Sequence, residues 1–201
     1  MFNLIEAAGW PIWLLIISSL IAVTLIVERL IYLRRQNIIP AKLLDEVVHE
    51  LKQRGVSPQM LDRLYAGSPL GKVFAAGLKN IKSSPQVMKE SIEEAGRGAS
   101  HEMERFLTTL GTIASISPLL GLFGTVVGMI EIFGAQNAGG AAPTELAHGI
   151  SVALYNTAFG LIVAIPSLIF WRYFRARVDE YLLALELASE RLARHLFTLR
   201  K

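Results

Sequence analysis

Apolar residues in this chain form three long blocks, from about Pro11 to Leu33, Phe106 to Gly134 and Ala147 to Trp171, each long enough for the roughly 20 residues a bilayer-crossing helix needs. Polar and apolar positions alternate with helical spacing elsewhere. Between the first two blocks, Gly55-Val56-Ser57-Pro58, Gly67-Ser68-Pro69 and Ser83-Ser84-Pro85 punctuate the pattern, and each is a turn signal followed by a helix start. The spacing predicts three or four short helices there, with Leu43, Val47, Val48 and Leu51 on one apolar face and Phe74, Leu78 and Ile81 on another. From Pro85 to Arg105 only Gly96 and Gly98 interrupt a polar helical pattern that runs straight into the second block, which predicts one unbroken helix. After the third block, Val178, Leu182, Leu185, Ser189, Leu192, Leu196 and Leu199 recur at steps of four and three, the seam of a coiled coil.

The expected fold is therefore an all-α integral membrane protein with three transmembrane helices and long helical extensions outside the bilayer. Its segments are a short N-terminus over 1–10, a first span over 11–33, a helical region over 34–105, a second span over 106–134, a short loop over 135–146, a third span over 147–171 and a terminal helix over 172–201. Composition agrees: 52% hydrophobic residues exceed the roughly 45–50% of a soluble domain.

Charge sets an orientation. All 20 Lys and Arg lie from Arg29 to Arg105 or from Arg172 onward. Basic residues collect on the cytoplasmic side, so those regions are read as inside and the Lys/Arg-free ends as outside. Trp10 and Trp13 sit where an outer aromatic belt would be, and the basic residues follow the first block instead of preceding it, which argues against a cleaved signal peptide. Glu28 and Arg29, in the last turns of the first span, could pair with each other or snorkel to the interface, and the plainer reading is a solvated inner end.

Candidate chemistry is sparse. The absence of cysteine removes thiolate chemistry and cysteine-ligated metal, and four scattered histidines give no ligand spacing. No metal, cofactor, nucleic acid or enzymatic triad is expected. Gly67 to Lys72 falls one residue short of a phosphate loop and ends in Val73. Thr144 reads as a helix cap and His148 as an interfacial residue.

The second and third blocks are unlike plain lipid-facing helices. Gly121, Gly124 and Gly128 remove side chains from the second, and Ser115, Ser117 and Thr125 add hydroxyls a lipid tail does not satisfy. In the third, Gly149, Ala153, Thr157, Gly160, Ala164 and Ser167 lie along one strip, which pairs the two helices face to face, while Asn156 and Thr157 add an amide and a hydroxyl at mid-depth.

Ser117-Pro118-Leu119-Leu120-Gly121-Leu122-Phe123-Gly124-Thr125-Val126-Val127-Gly128, with Asn156-Thr157-Ala158-Phe159-Gly160 through Ala164-Ile165-Pro166, resembles the MotA/TolQ/ExbB proton-channel family. The order of spans is similar to its ExbB/TolQ branch, over nearly the whole chain. The resemblance implies a homopentamer in a bacterial inner membrane around an ExbD/TolR-like partner whose single span carries an aspartate. Such a motor would work on a TonB/TolA-like protein. Thr125 and Thr157 match the family's pore threonines, so the expected ion pathway is Thr125, Thr157, Asn156 and Ser115. Gly121, Gly124, Gly128, Ala153, Gly160, Ala164 and Pro118 are expected to serve helix packing and partner entry. Val152 stands where many ExbB and TolQ proteins have glutamate.

Without the resemblance, the residues make a matching demand. Proton passage through hydrocarbon needs a titratable group near mid-depth, and none of the three spans has one, so a second polypeptide must bring it. A non-conducting scaffold and a sodium-driven stator-like subunit stay open as alternatives, the second because hydroxyl and carbonyl oxygens also suit sodium.

Overall fold

The computed structural model describes residues 9–136 and 143–199, and all the regular elements among them are helices. They are α1 (Pro11–Tyr32), α2 (Arg35–Ile38), α3 (Leu43–Arg54), α4 (Pro58–Gly67), α5 (Pro69–Lys79), α6 (Pro85–Glu104), α7 (Leu107–Gln136) and α8 (Pro143–Leu199). The 22 residues of α1, the apolar stretch ending at Gly134 and the first part of α8 are each long and apolar enough to cross a membrane.

The chain folds as two compact units. One holds α1 as far as Glu28, α7, and α8 as far as Tyr173; the other holds Arg29–Arg105 and α8 from Phe174 onward. In the first unit α1 buries Ile12, Leu15 and Ala22 and leaves Trp13, Ile17 and Leu20 exposed, the apolar surface that a bilayer would solvate. Trp10 meets Phe123 edge to face at 5.8 Å.

In the second unit the Ser-Pro signals act as expected. The hydroxyls of Ser57, Ser68 and Ser84 accept from the amides of Met60, Gly71 and Val87, and proline follows each at a position where its missing N–H costs nothing. Val47, Leu51, Phe74 and Leu78 are buried on the faces their spacing predicts.

Three expectations change here. The helix predicted to run unbroken from Pro85 is interrupted by a turn: Arg105 leaves the helical region (φ −51, ψ 136) and Phe106 is left-handed (φ 65). Arg29, expected at a solvated end, is 3% exposed, and its guanidinium explains the break. Nη1 donates to the carbonyls of Glu102 and Met103 at 3.3 Å each, supplying a cation and donors where the end of α6 leaves its carbonyls open. The same guanidinium stacks 4.5 Å from the Tyr32 ring.

The third change lies along α8, where Phe174, Val178, Tyr181, Leu185, Ser189, Leu192 and Leu196 are buried. Tyr181 takes the place expected for Leu182, because its hydroxyl donates to the Leu33 carbonyl at 2.8 Å. Ser189 is tolerated in the seam by donating back to the Leu185 carbonyl.

Glu102 also anchors α6 through its side chain. Lys72, with Nζ 2.6 Å from Oε2, holds its carboxyl below the ordinary value of 4.5; burial pushes the other way, and the Tyr32 hydroxyl and the Arg29 charge add to the lowering. A carboxylate with a depressed folded pKa stabilises fully above its unfolded value and loses that contribution as pH falls through the folded one. Glu102→Gln should therefore flatten the acid side of the melting temperature–pH curve below about pH 5, measured by thermal unfolding in detergent. An unchanged slope would show that Glu102 gains nothing from Lys72.

Candidate functional site: the α7–α8 seam

Buried residues recur along α7 at Leu107, Leu110, Ala114, Ser117, Gly121 and Gly124, in steps of three and four. On α8 the buried residues are Ala153, Asn156, Gly160, Val163, Ala164 and Ser167, of which Ala153, Asn156 and Gly160 meet α7. The two backbones touch. A Cβ on Gly160 would stand 2.6 Å from the Ser117 carbonyl oxygen, and one on Gly121 would stand 2.7 Å from the Asn156 carbonyl oxygen and 3.0 Å from the Thr157 Cα. Further along, Gly124 faces the Asn156 side chain, Gly128 faces Ala153, and Gly149 faces Ile132. As α7 numbers rise the α8 numbers fall, so the helices pack antiparallel and face to face, as the small-residue strips predicted.

The strip itself is corrected at one place. Asn156, not Thr157, occupies the seam: it is 1% exposed and fills the space left by Gly124, while Thr157 is half-buried beside it. Thr125 holds the equivalent place on α7, directly after Gly124 and half-buried.

A residue one position past the seam is turned about 100° from it, and for antiparallel neighbours that rotation leads to the same side of the pair. Thr125 and Thr157 therefore share one flank. Because Thr157 packs at Gly121, the two lie about one helical turn, roughly 6 Å, apart in depth. The Thr125 hydroxyl donates to the Leu122 carbonyl at 2.6 Å, which leaves its oxygen lone pairs for an incoming donor. Ser115 is exposed and donates to the Gly111 carbonyl at 2.9 Å, and Pro118 is half-buried on the same flank, directly after Ser117. A shallow open groove runs along α7 beside Thr125, lined also by Met129 and Phe133.

The sequence reading missed two contacts. Trp171 packs its indole on Gly111, with Nε1 2.8 Å from where a Cβ would be, and Ser117 is wholly buried as a seam residue. A glycine in the first turns of α7 and a single tryptophan beside Arg172 were the available signals. The side chains of Thr144, His148 and Val152, and residues 137–142 of the expected loop, lie outside the described residues.

The class these features define is a helical membrane protein whose two small-residue helices pair tightly and carry hydroxyls along one flank. Residues 66–187 match the profile of the MotA/TolQ/ExbB proton channel family, and the chain belongs to it. An ExbB-like protein of Synechocystis sp. is 30% identical over 161 residues, spanning 79% of this chain and 77% of that one. Biopolymer transport protein exbB1 of Vibrio cholerae is 31% identical over 81% of this chain and 73% of its own. The Tol-Pal system protein TolQ of Pseudomonas aeruginosa is 30% identical over 89% of this chain and 84% of its own.

Proposed function

We propose that this chain is the multi-span subunit of an ion-driven motor of the ExbB/TolQ kind. It assembles as a homopentamer in a bacterial inner membrane, with its N-terminus outside and its basic regions inside. The observation that carries the reading is the pair of hydroxyls, Thr125 and Thr157, on one flank of a seam without a carboxylate, histidine or basic side chain at mid-depth. A site of that kind can bind an acid but cannot supply one.

The acid comes from an ExbD/TolR-like partner whose single apolar span carries an aspartate. Gly121 and Gly124 are covered by α8 and Gly160 by α7, so the partner's way in is the threonine flank beside them and not the glycines themselves. While the aspartate is protonated, its O–H donates to the Thr125 oxygen, whose own proton is held by the Leu122 carbonyl. Once it ionises, a rotation of the threonine turns that hydroxyl into a donor to the carboxylate. Each protonation state then has a partner, which lowers the cost of cycling an acid in a low-dielectric site. The movement is passed to a TonB/TolA-like protein.

Reconstitution tests this. The purified chain alone in vesicles should pass ions far more slowly than the chain with a single-span, aspartate-bearing partner, and flux should persist in sodium-free medium and follow the pH gradient. Full flux without the partner would sink the proposal; flux only with sodium present would move it to the stator-like alternative. A non-conducting scaffold predicts no flux in either arm.

A further inference from the structure

The flank that carries Thr125 continues inward along α7. Every residue directly after a seam position belongs to it: Thr108 after Leu107, Gly111 after Leu110, Ser115 after Ala114, Pro118 after Ser117, Leu122 after Gly121, Thr125 after Gly124. Its inner half is polar. Thr108 and Ser115 are exposed, and Thr112, one turn from each, is exposed as well. The Ser115 and Thr112 hydroxyls donate to the Gly111 and Thr108 carbonyls at 2.9 Å, so their oxygens keep lone pairs outward for water.

One bulky group crosses this line. The Trp171 indole lies over Gly111, between Thr108 and Ser115, with Nε1, Cε2 and Cδ1 2.8, 3.1 and 3.2 Å from the position a Cβ would take. Beyond Pro118, the large apolar side chain of Leu122 stands on the flank before Thr125.

We infer that Thr108 and Ser115 line a water-filled inner leg of the ion route, and that the Trp171 indole over Gly111 is its constriction. The inference rests on the reading of Thr125 and Thr157 as the ion-exchanging pair. Water, hydronium or a hydrated cation is the species taken, since the stripe offers neutral oxygens and one N–H and no fixed charge. A narrow passage flanked by apolar surface gates by drying, and an indole set across it supplies that surface.

The chain has no cysteine, so any introduced thiol is the only one in it. Single cysteines at Thr108, Ser115 and, on another face at the same depth, Ile116 are treated with a cationic methanethiosulfonate in vesicles of the chain with its partner. Modification is read as a mass shift of this chain, because the thiolate that reacts forms only where water reaches. Thr108→Cys and Ser115→Cys should react at least about tenfold faster than Ile116→Cys, as expected of hydrated against lipid-facing positions. Trp171→Ala should speed labelling at Ser115→Cys several-fold and leave Thr108→Cys unchanged, because Thr108 lies outside the indole. Trp171→Phe, which keeps an aromatic ring, should hold the slower rate even if the alanine variant assembles poorly. Equal rates at Ser115→Cys and Ile116→Cys would overturn the inner leg, and a Ser115→Cys rate indifferent to both Trp171 variants would overturn the constriction. If Thr125→Val retains full flux, the underlying reading falls instead. If Thr125→Val stops flux while Ser115→Cys stays unlabelled, only the inner leg falls.

Discussion

Under the proposed function, Thr125→Val and Thr157→Val should each stop energised transport while the subunits still assemble and retain their partner. Valine matches threonine in shape, and both positions are half-buried beside the seam and not within it, so packing changes little. What is lost is one oxygen that can accept from a neutral acid and donate to an ionised one. Leaving a buried polar group without its partner costs about 1–3 kcal/mol, more when the group is charged, and each 1.4 kcal/mol is tenfold in rate. A loss of one to several orders of magnitude follows for either variant. Proton flux into vesicles, read beside co-purification of the partner, separates this from misassembly. Thr125 and Thr157 would leave the pathway if both variants transported at the normal rate.

Gly160→Ala should deplete folded protein, whereas Gly98→Ala should stabilise it. At Gly160 the new methyl would stand 2.6 Å from the Ser117 carbonyl oxygen and 3.1 Å from the Gly121 Cα, both backbone atoms that no rotamer change can move aside. The helices would have to part, and overpacking of this kind costs about 1–3 kcal/mol or more. At Gly98, inside α6, the same methyl meets nothing within 4 Å. Alanine there restores helix propensity worth about 0.5–1 kcal/mol, or a melting temperature higher by roughly 1–4 °C. Thermal unfolding of both variants in one detergent decides the matter. Equal effects would mean that the α7–α8 contact is looser than the structure has it.

Much of this architecture could be read from residue order. The three apolar blocks, the three Ser-Pro helix starts and the pairing of two small-residue strips are local or periodic signals, and helical periodicity turns them into faces. Two near misses share one cause. Steps of four then three and of three then four reach the same end point, so Ala153-Thr157-Gly160 and Ala153-Asn156-Gly160 fit the pattern equally, as do Val178-Leu182-Leu185 and Val178-Tyr181-Leu185. Periodicity cannot choose between them. Gly124 opens room that the Asn156 side chain fills, and the Leu33 carbonyl offers Tyr181 an acceptor, and each choice depends on a residue far away in the chain.

The break between α6 and α7 is of the same kind. Nothing between Pro85 and Gln136 forbids a continuous helix, since even Pro118 is accommodated inside α7, and no local signal marks Arg105 and Phe106. The end of α6 is set by Arg29, more than 70 residues earlier, whose buried guanidinium takes the Glu102 and Met103 carbonyls. By itself the sequence determined how many helices can cross a bilayer, which of their faces are small enough to touch, and that the spans hold hydroxyls without an acid at mid-depth. The tertiary structure alone decided which hydroxyls leave the seam for a shared flank and where the long helix stops, because both depend on the shape and unpaired groups of a distant segment, which spacing along one helix does not encode.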